Sequence, residues 1–459
     1  MFLCIDMIYG EFLLLLAETV NLFETKKTEI KYNRFCFESH LEGKMDRKAN
    51  ERALAFIEEQ DVRFVKLAFC DIFGQLKNIS ISASSLEKAM EKGVGLNAAS
   101  VRGFLNIDDS DLLLFPDPDS VTILPWRPAD GRVARFFCEI RHSDGTPFEG
   151  DVRTMLKEYE KSLHDAKIDL QARTECEFYL FRKDAEGNPT DIPMDRASYF
   201  DAAPIDKGED VRREICLTME KMGMTYVASH HEKGPGQNEI RFSPASLLDA
   251  ADHLVVFKDI VKITADRMGL FASFLPKPLF NENGSGLAIS LAANGASAKD
   301  RVAYQMTAGI LRRIEEITLF LNPIANSYER IGSFEAPSAV NYGLGNGNLL
   351  IKTHPEAARV KVRSADPSCN PYLACLLLAG AAMEGIREDL NPDDFNTGRE
   401  LPDTMNDAIK CARTSAFTKT MIPDTLFEKF IQAKCDDWEE SSVSGDPMLK
   451  AKNMEFPVT

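Results

Sequence analysis

The sequence predicts a two-domain α+β protein. Three observations lead there. A chain of 459 residues, 44% hydrophobic, can bury more core than one small domain needs. Stretches of strand period alternate with longer stretches of helical period along the chain. The turn Asp144-Gly145-Thr146-Pro147 separates a part with few helices from a part with long ones.

In chain order, 47–59 carries Ala49, Ala53 and Ile57 at helical spacing. Phe64 with 66–69, and 76–81, read as strands around the turn Asp71-Ile72-Phe73-Gly74. Residues 84–92 read as helix, 94–104 as loop and strand, and 112–115, 121–124 and 133–140 as strands. This is a small α+β unit of mixed sheet. Past the turn, Asp151 caps a helix to about Ala166. Further helices are expected over 209–222, 248–268, 300–321 and 371–386, with short strands at 272–275, 287–291 and around Val360 and Val362.

The net charge of −17 argues against nucleic acid or an anionic membrane as the main partner. The ten cysteines show no C-x-x-C pair, so free thiols in a reducing cytosol are expected. Leu13 to Leu16 are apolar, but Asp6 and Glu11 interrupt the run. It is too short for a membrane helix and wrongly flanked for a signal peptide.

Three stretches carry the chemistry. Arg173 to Phe181 has strand period, with Glu175 and Glu177 on one face and Cys176, Phe178 and Leu180 on the other. Ser229 to Phe242 is a hairpin around Gly234-Pro235-Gly236, with Glu232 and Glu239 flanking the turn. Converging carboxylates repel unless a cation or proton sits between them, and Mg²⁺ takes oxygen ligands of this kind. A hairpin with two solvated glutamates is the alternative. Arg359, Lys361 and Arg363 alternate on a third strand, with Val360 and Val362 opposite. That face is either solvated or the basic wall of a site.

These stretches, with Pro276-Lys277-Pro278, Asn283-Gly284-Ser285-Gly286, Phe334-Glu335-Ala336-Pro337 and Arg363 to Leu373, resemble the glutamine synthetases of the bacterial dodecameric type. The corresponding patterns there are E-x-E-F-F-L-F, H-H-E-x-x-P-G-Q-x-E, P-K-P-x-x-x-x-N-G-S-G, Y-E-A-P and R-x-x-D-P-x-x-N-P-Y-L, in the same order. The resemblance runs from about Asn50 to near the C-terminus. It implies a β-grasp-like N-terminal domain over 45–149. A catalytic domain over 150–459 would follow, a curved antiparallel sheet wrapped by helices. Residues 1–44 lie outside the resemblance and read as an extension or, preferably, as a misassigned start.

The resemblance further implies a cytoplasmic ring, a dodecamer of two hexamers. Its site would be a funnel for ATP, a glutamate-like acid and ammonia or an amine, with Mg²⁺ or Mn²⁺ at two positions. Glu177, Glu232 and Glu239 match the first position. Glu175 matches the second, but the histidine expected there is Ala288 and the expected glutamate is Lys361. Asn283, Gly284, Arg330 and Arg363 match substrate-binding positions, and Lys352, Arg359 and Ser290 match nucleotide-binding ones. Glu335, Arg330, Arg359 and Arg363 match catalytic positions. Asn97 stands where the family has an aspartate, Gly347 where it has a phosphate-facing arginine, Ser290 where it has a histidine, and Asn396-Thr397-Gly398 in place of the adenylylated tyrosine. Two readings follow. One is an ATP-dependent ligase joining a carboxylate to ammonia or an amine through an acyl phosphate, with a degenerate second metal site. The other is a catalytically impaired relative acting as a ring-forming binding or regulatory protein.

Overall fold

The computed structural model describes residues 47–104, 111–296, 301–345 and 347–443. The expectations for 1–44 and for the start of the 300–321 helix lie outside them.

The first part begins with α1 (Arg47–Glu59), which buries Ala49, Ala53 and Ile57, the residues whose spacing predicted it. It continues through β1 (Val62–Cys70), β2 (Leu76–Ser82), α2 (Leu86–Lys92), β3 (Val94–Leu96), β4 (Leu112–Pro116), β5 (Thr122–Ile123) and β6 (Arg132–Arg141). The sheet order is β2-β1-β6-β4-β3, with β5 also on β6. β1 and β6 run parallel and the other pairs antiparallel. This mixed sheet is what the resemblance implied for the first part.

Asp151 then caps α3 (Val152–Asp165) through Thr154 N. Next come β7 (Leu170–Lys183), β8 (Pro189–Pro193), α4 (Glu209–Lys221), β9 (Tyr226–His231), β10 (Gln237–Phe242), β11 (Ala245–Ser246), α5 (Leu247–Arg267), β12 (Leu270–Ser273), β13 (Leu287–Ala293), α6 (Val302–Leu321) and α7 (Ala325–Arg330). The chain continues with β14 (Tyr342–Gly343), β15 (Ile351–His354), β16 (Arg359–Val362), α8 (Pro371–Arg387), α9 (Met405–Thr414), α10 (Ala416–Met421) and α11 (Asp424–Val443). The second sheet has the order β14-β15-β16-β13-β7-β10-β9 and is antiparallel apart from β14–β15. β7 is its spine, alternating a buried apolar face, with Cys176, Phe178 and Leu180, against a polar one.

Two expectations shift. The strand expected at 272–275 lies at Leu270–Ser273, because its pairing with β7 begins at Leu270 opposite Arg182. β15 and helices α9 to α11 were not anticipated. The cysteines among the described residues are free, as expected from their scatter. Among the described residues no helix is long and apolar enough to cross a membrane.

One buried ion network joins the two parts. Arg153 on α3 grips Asp252 on α5 with Nε and Nη2, at 2.9 and 2.8 Å, and Asp117 of the first part with Nη1 at 2.8 Å. Lys157 adds a bond to Asp117 at 3.1 Å, and Tyr372 of α8 donates to Asp252 at 2.7 Å. Breaking such a network from one side strands two buried carboxylates. Arg153→Met is therefore expected to cost about 3–5 kcal/mol in chemical denaturation. Burial alone would raise Asp117, but Arg153 and Lys157 outweigh it and hold the carboxyl below its usual range. Its share of stability is present above about pH 4, the unfolded carboxyl's value. It is lost as pH falls through the lower folded value. In Arg153→Met that acid-side loss should shrink.

Candidate active site

The register of three strands builds the site. Across β7–β10, Glu177 faces Glu239 and Glu175 faces Arg241. Across β7–β13, Ala288 faces Glu175. Across β9–β10, His230 faces Glu239, and Glu232 follows just beyond the end of β9. Period-2 alternation puts all of these on the polar face of the sheet. All of them but His230 line a cavity of about 390 Å³, with Lys352, Lys361, Arg363 and Glu335 also in its wall.

The hairpin glutamates do converge. Ligand atoms of His230, Glu232 and Glu239 lie within 4.8 Å of one another. His230 Nε2 is 2.8 Å from Glu232 Oε1 and 3.7 Å from Glu239 Oε1. Glu177 accepts from Gln237 Nε2 and from Gly286 N, both at 2.9 Å. Burial, then Glu232 and Glu239, push the Glu177 carboxyl well up; burial, then Glu232, raise Glu239. Carboxylates that destabilise one another's charge in this way call for a cation. The clustered atoms of His230, Glu232 and Glu239 are donors of the kind a divalent ion takes, and Glu177 faces Glu239 from the next strand, outside that cluster.

Glu175, which the resemblance matches to a second position, is engaged by protein cations instead. Glu175 is 3% exposed and already holds three protein cations. Lys361 Nζ lies 2.6 Å from its Oε2, Arg173 Nη2 lies 3.0 Å from its Oε1, and Arg241 Nε lies 3.5 Å away. Burial would raise its carboxyl, but Lys361 first, then Arg241 and Arg173, draw it below its usual range. Ala288 opposite offers no donor atom.

The basic strand also faces inward in part. Lys361 and Arg363 line the cavity while Val360 and Val362 are fully buried. Arg359 lies further along, facing His354, outside the lining. Lys352 faces Lys361, and burial, then Arg363 and Lys361, lower its ammonium. Ser290 sits between Lys361 and Arg173 in the register, buried, its hydroxyl without a hydrogen-bond partner. Arg363 bonds Asn348 Oδ1 at 3.2 Å, Leu349 O at 3.1 Å and Glu335 O at 2.9 Å. Asn97 and Gly347 are exposed and do not line this chain's cavity.

Supporting contacts fix the hairpin. His231 places Nε2 3.0 Å from Asp195 Oδ1 and Nδ1 2.6 Å from Glu232 O. Burial opposes its charge, but Asp195 and the Glu232 carbonyl outweigh that and raise it. Asp195, drawn down to about 2, also accepts from Gly236 N at 2.9 Å. Gly236 has φ +71°, where a side chain is strained. At the mouth, Lys233 Nζ pairs with Glu335 Oε1 at 2.5 Å. Arg330 is buried and donates to the Ser364 and Ala365 carbonyls, its chain passing against Gly284. The Asn283 carbonyl accepts from the Tyr179 hydroxyl.

Sequence reasoning missed Arg173, Arg241, His230 and Lys233 as parts of the site. The signal for two was present: Arg173 and Arg241 lie two residues from Glu175 and Glu239, on the same strand faces.

A small mixed sheet leading into a curved antiparallel sheet with an acidic floor and a basic rim defines a two-domain scaffold built to handle charged small molecules. Comparison with known proteins makes this specific. Residues 61–143 match the family model "Glutamine synthetase, beta-Grasp domain", and 149–449 match "Glutamine synthetase, catalytic domain". The chain is 37% identical over 429 residues to a glutamine synthetase of Clostridium saccharobutylicum, covering 86% of this chain and 96% of the relative. It is 37% identical over 415 residues to one of Staphylococcus aureus strain MW2, covering 84% and 93%. Among solved structures, a GmaS/ADP complex aligns with a TM-score of 0.77 at 24% identity, covering 88% of this chain and 99% of that one. A cryo-EM structure of Plasmodium falciparum glutamine synthetase aligns at 0.77 and 18%, covering 86% and 96%. The chain belongs to the glutamine synthetase family.

Gly284 tests how tightly the floor is fitted. A Cβ there would lie 2.3 Å from Pro276 O and 2.7 Å from Arg330 Cγ. Gly284→Ala is expected to destabilise the fold by about 1–3 kcal/mol in denaturant titrations, and to perturb Arg330 in a crystal structure.

Proposed function

We propose that the protein is an ATP-dependent carboxylate–amine ligase of glutamine synthetase type, working with one divalent ion per subunit instead of two. The observation that carries this is the contrast between the two carboxylate groups. Glu177, Glu232 and Glu239 lack cations enough to balance them, whereas Glu175 is already surrounded by three. Glu177, Glu232 and Glu239 would hold Mg²⁺ or Mn²⁺, which supplies charge neutralisation and orientation of substrate oxygens when bound.

In this reading a glutamate-like acid lies over Asn283, Gly284 and Arg363. Its carboxylate oxygen attacks the γ-phosphorus of ATP, the bond from that phosphorus to the bridging oxygen breaks, and ADP leaves. Lys352 and Lys361 offset the charge that moves along the phosphate chain, with Ser290 opposite Lys361 in the register and Arg359 adding charge from further along β16, outside the cavity lining. The amine nitrogen then attacks the acyl carbon, phosphate leaves, and the nitrogen loses a proton. Glu335 is the carboxylate placed at the mouth to take it, once its pairing with Lys233 opens. A ring of subunits, a dodecamer in the expected form, would bring Asn97 of one subunit to the mouth of the next. There an amide cannot accept the amine's proton.

One observation favours the impaired-relative reading. Arg363, at a position the resemblance matches to substrate binding, has its guanidinium nitrogens held by Asn348, Leu349 and Glu335. ADP release decides between the two. The purified protein, Mg²⁺ and a panel of amino acids and amines should give ADP only when acid, amine and metal are all present. Glu232→Ala should abolish it. No ADP with any pair would support the binding protein.

Lys361 gives a second test. Lys361→Glu sets a new carboxylate against Glu175, so this variant should melt lower than the natural protein in the absence of metal. Ala288→His with Lys361→Glu should bind a second Mn²⁺ per chain and recover that loss on adding Mn²⁺. For assembly, light scattering should give a mass many times the 51.3 kDa chain. A monomer at micromolar concentration would refute the ring.

A further inference from the structure

Arg241 lies where the two carboxylate groups meet. It faces Glu175 across β7–β10 and stands two residues from Glu239 on its own strand. Its Nε is 2.5 Å from Glu239 Oε1 and 3.5 Å from Glu175 Oε2. The Glu239 oxygen it grips, Oε1, is the one 3.7 Å from His230 Nε2, and His230 and Glu239 belong with Glu232 to one cluster of ligand atoms. The Glu175 oxygen it approaches is the one held by Lys361. Glu239 is 7% exposed at its side chain and Glu175 3%, while Arg241 is 32% exposed. The acids are fixed in the floor, and the arginine is the member with room to move.

We infer that Arg241 is a resident counter-ion that competes with divalent metal for Glu239. Without metal it neutralises Glu239. With metal on the Glu177, Glu232 and Glu239 group, the guanidinium gives up the Glu239 oxygen and closes the remaining gap to Glu175. Two effects then set metal affinity. A bound ion has to break the Arg241–Glu239 pair, and it afterwards lies beside a fixed positive charge. Lys361 limits how much Arg241 gains on Glu175, since both approach the same oxygen. The arginine thus links the occupied and the replaced metal positions, and it makes this a weak single-metal site. The inference rests on the reading that Glu177, Glu232 and Glu239 hold a divalent ion.

The test is Mn²⁺ titration of the whole protein by calorimetry and by the electron-spin signal of free Mn²⁺. The natural protein is compared with Arg241→Gln, Arg241→Ala and Arg241→Lys. Arg241→Gln and Arg241→Ala should each bind one Mn²⁺ at least about tenfold more tightly than the natural protein, the scale of removing one neighbouring cation. Arg241→Lys keeps the charge and should stay within about threefold of it. If either neutral variant fails to fold, the other and the lysine variant still decide. Affinities of the neutral variants within about twofold of natural, or weaker, would overturn the inference while leaving the metal reading intact. Tightening by Arg241→Lys equal to that by the neutral variants would overturn it too, since the charge would then not matter. No Mn²⁺ binding by any of the four would overturn the metal reading and the inference together.

Discussion

Glu175 sits in the floor of a curved sheet, 3% exposed, and a carboxylate in that place has to be neutralised. An unpaired buried charge costs several kcal/mol, while one opposite charge near 4 Å returns about 4 kcal/mol at an effective dielectric of about 20. The chain supplies Lys361, Arg173 and Arg241. The rest of the site follows from that choice. With Lys361 in contact and Ala288 opposite, no donor set for a metal forms around Glu175. The neighbouring group, one step along the same strand, has only the partial cover of Arg241 and His230. The mutual repulsion of carboxylates therefore lies with Glu177, Glu232 and Glu239.

Period-2 alternation made much of this legible. It assigned Glu175 and Glu177 to one face, Val360 and Val362 to the core and Lys361 to the polar side. The resemblance placed Lys361 beside Glu175, at the position of a metal-binding glutamate, and the structure shows the pair at 2.6 Å. What stayed hidden was the exact register between strands far apart in sequence. Alternation says that Arg241 shares a face with Glu239. Only the pairing of Glu239 with Glu177 says that Arg241 then meets Glu175. Lys233 with Glu335, over a hundred positions apart, was hidden for the same reason. Helices α9 to α11 escaped because no site motif drew attention to that stretch, although Met405, Ala408, Ile409 and Ala412 do recur at helical spacing and are buried.

The acidic hairpin is held by groups outside the cavity lining. Asp195 accepts from His231 and from the backbone of Gly236, and His231 in turn holds the Glu232 carbonyl. Glu232 is thus positioned from behind by a buried, charge-assisted pair. A ligand carboxylate hung on a tight turn would otherwise lose much of its preorganisation to turn motion. The Arg153 network works in the same way at larger scale. It clamps α3, α5 and α8 against the first part through one guanidinium, and α5 packs behind β7.

A lysine beside a carboxylate differs from a metal ion in more than charge. A metal ion is exchangeable, gathers ligands from several directions and accepts substrate oxygens into its own shell. An ammonium fixed to β16 has a set position and three donors, at least one of them turned to Glu175. It can offset charge on a phosphate but cannot draw two oxygens into a defined angle as a metal does. Lys352, facing Lys361 and lowered by burial and by Arg363 and Lys361, adds charge of the same fixed kind. On this side of the cavity the geometry of a bound anion is set by the sheet itself, by the 4.7–4.9 Å spacing of neighbouring strands. Specificity there is bound to the register of β15, β16 and β13. On the acidic side the positions of Glu177, Glu239 and Glu232 are set by the register of β7, β10 and β9.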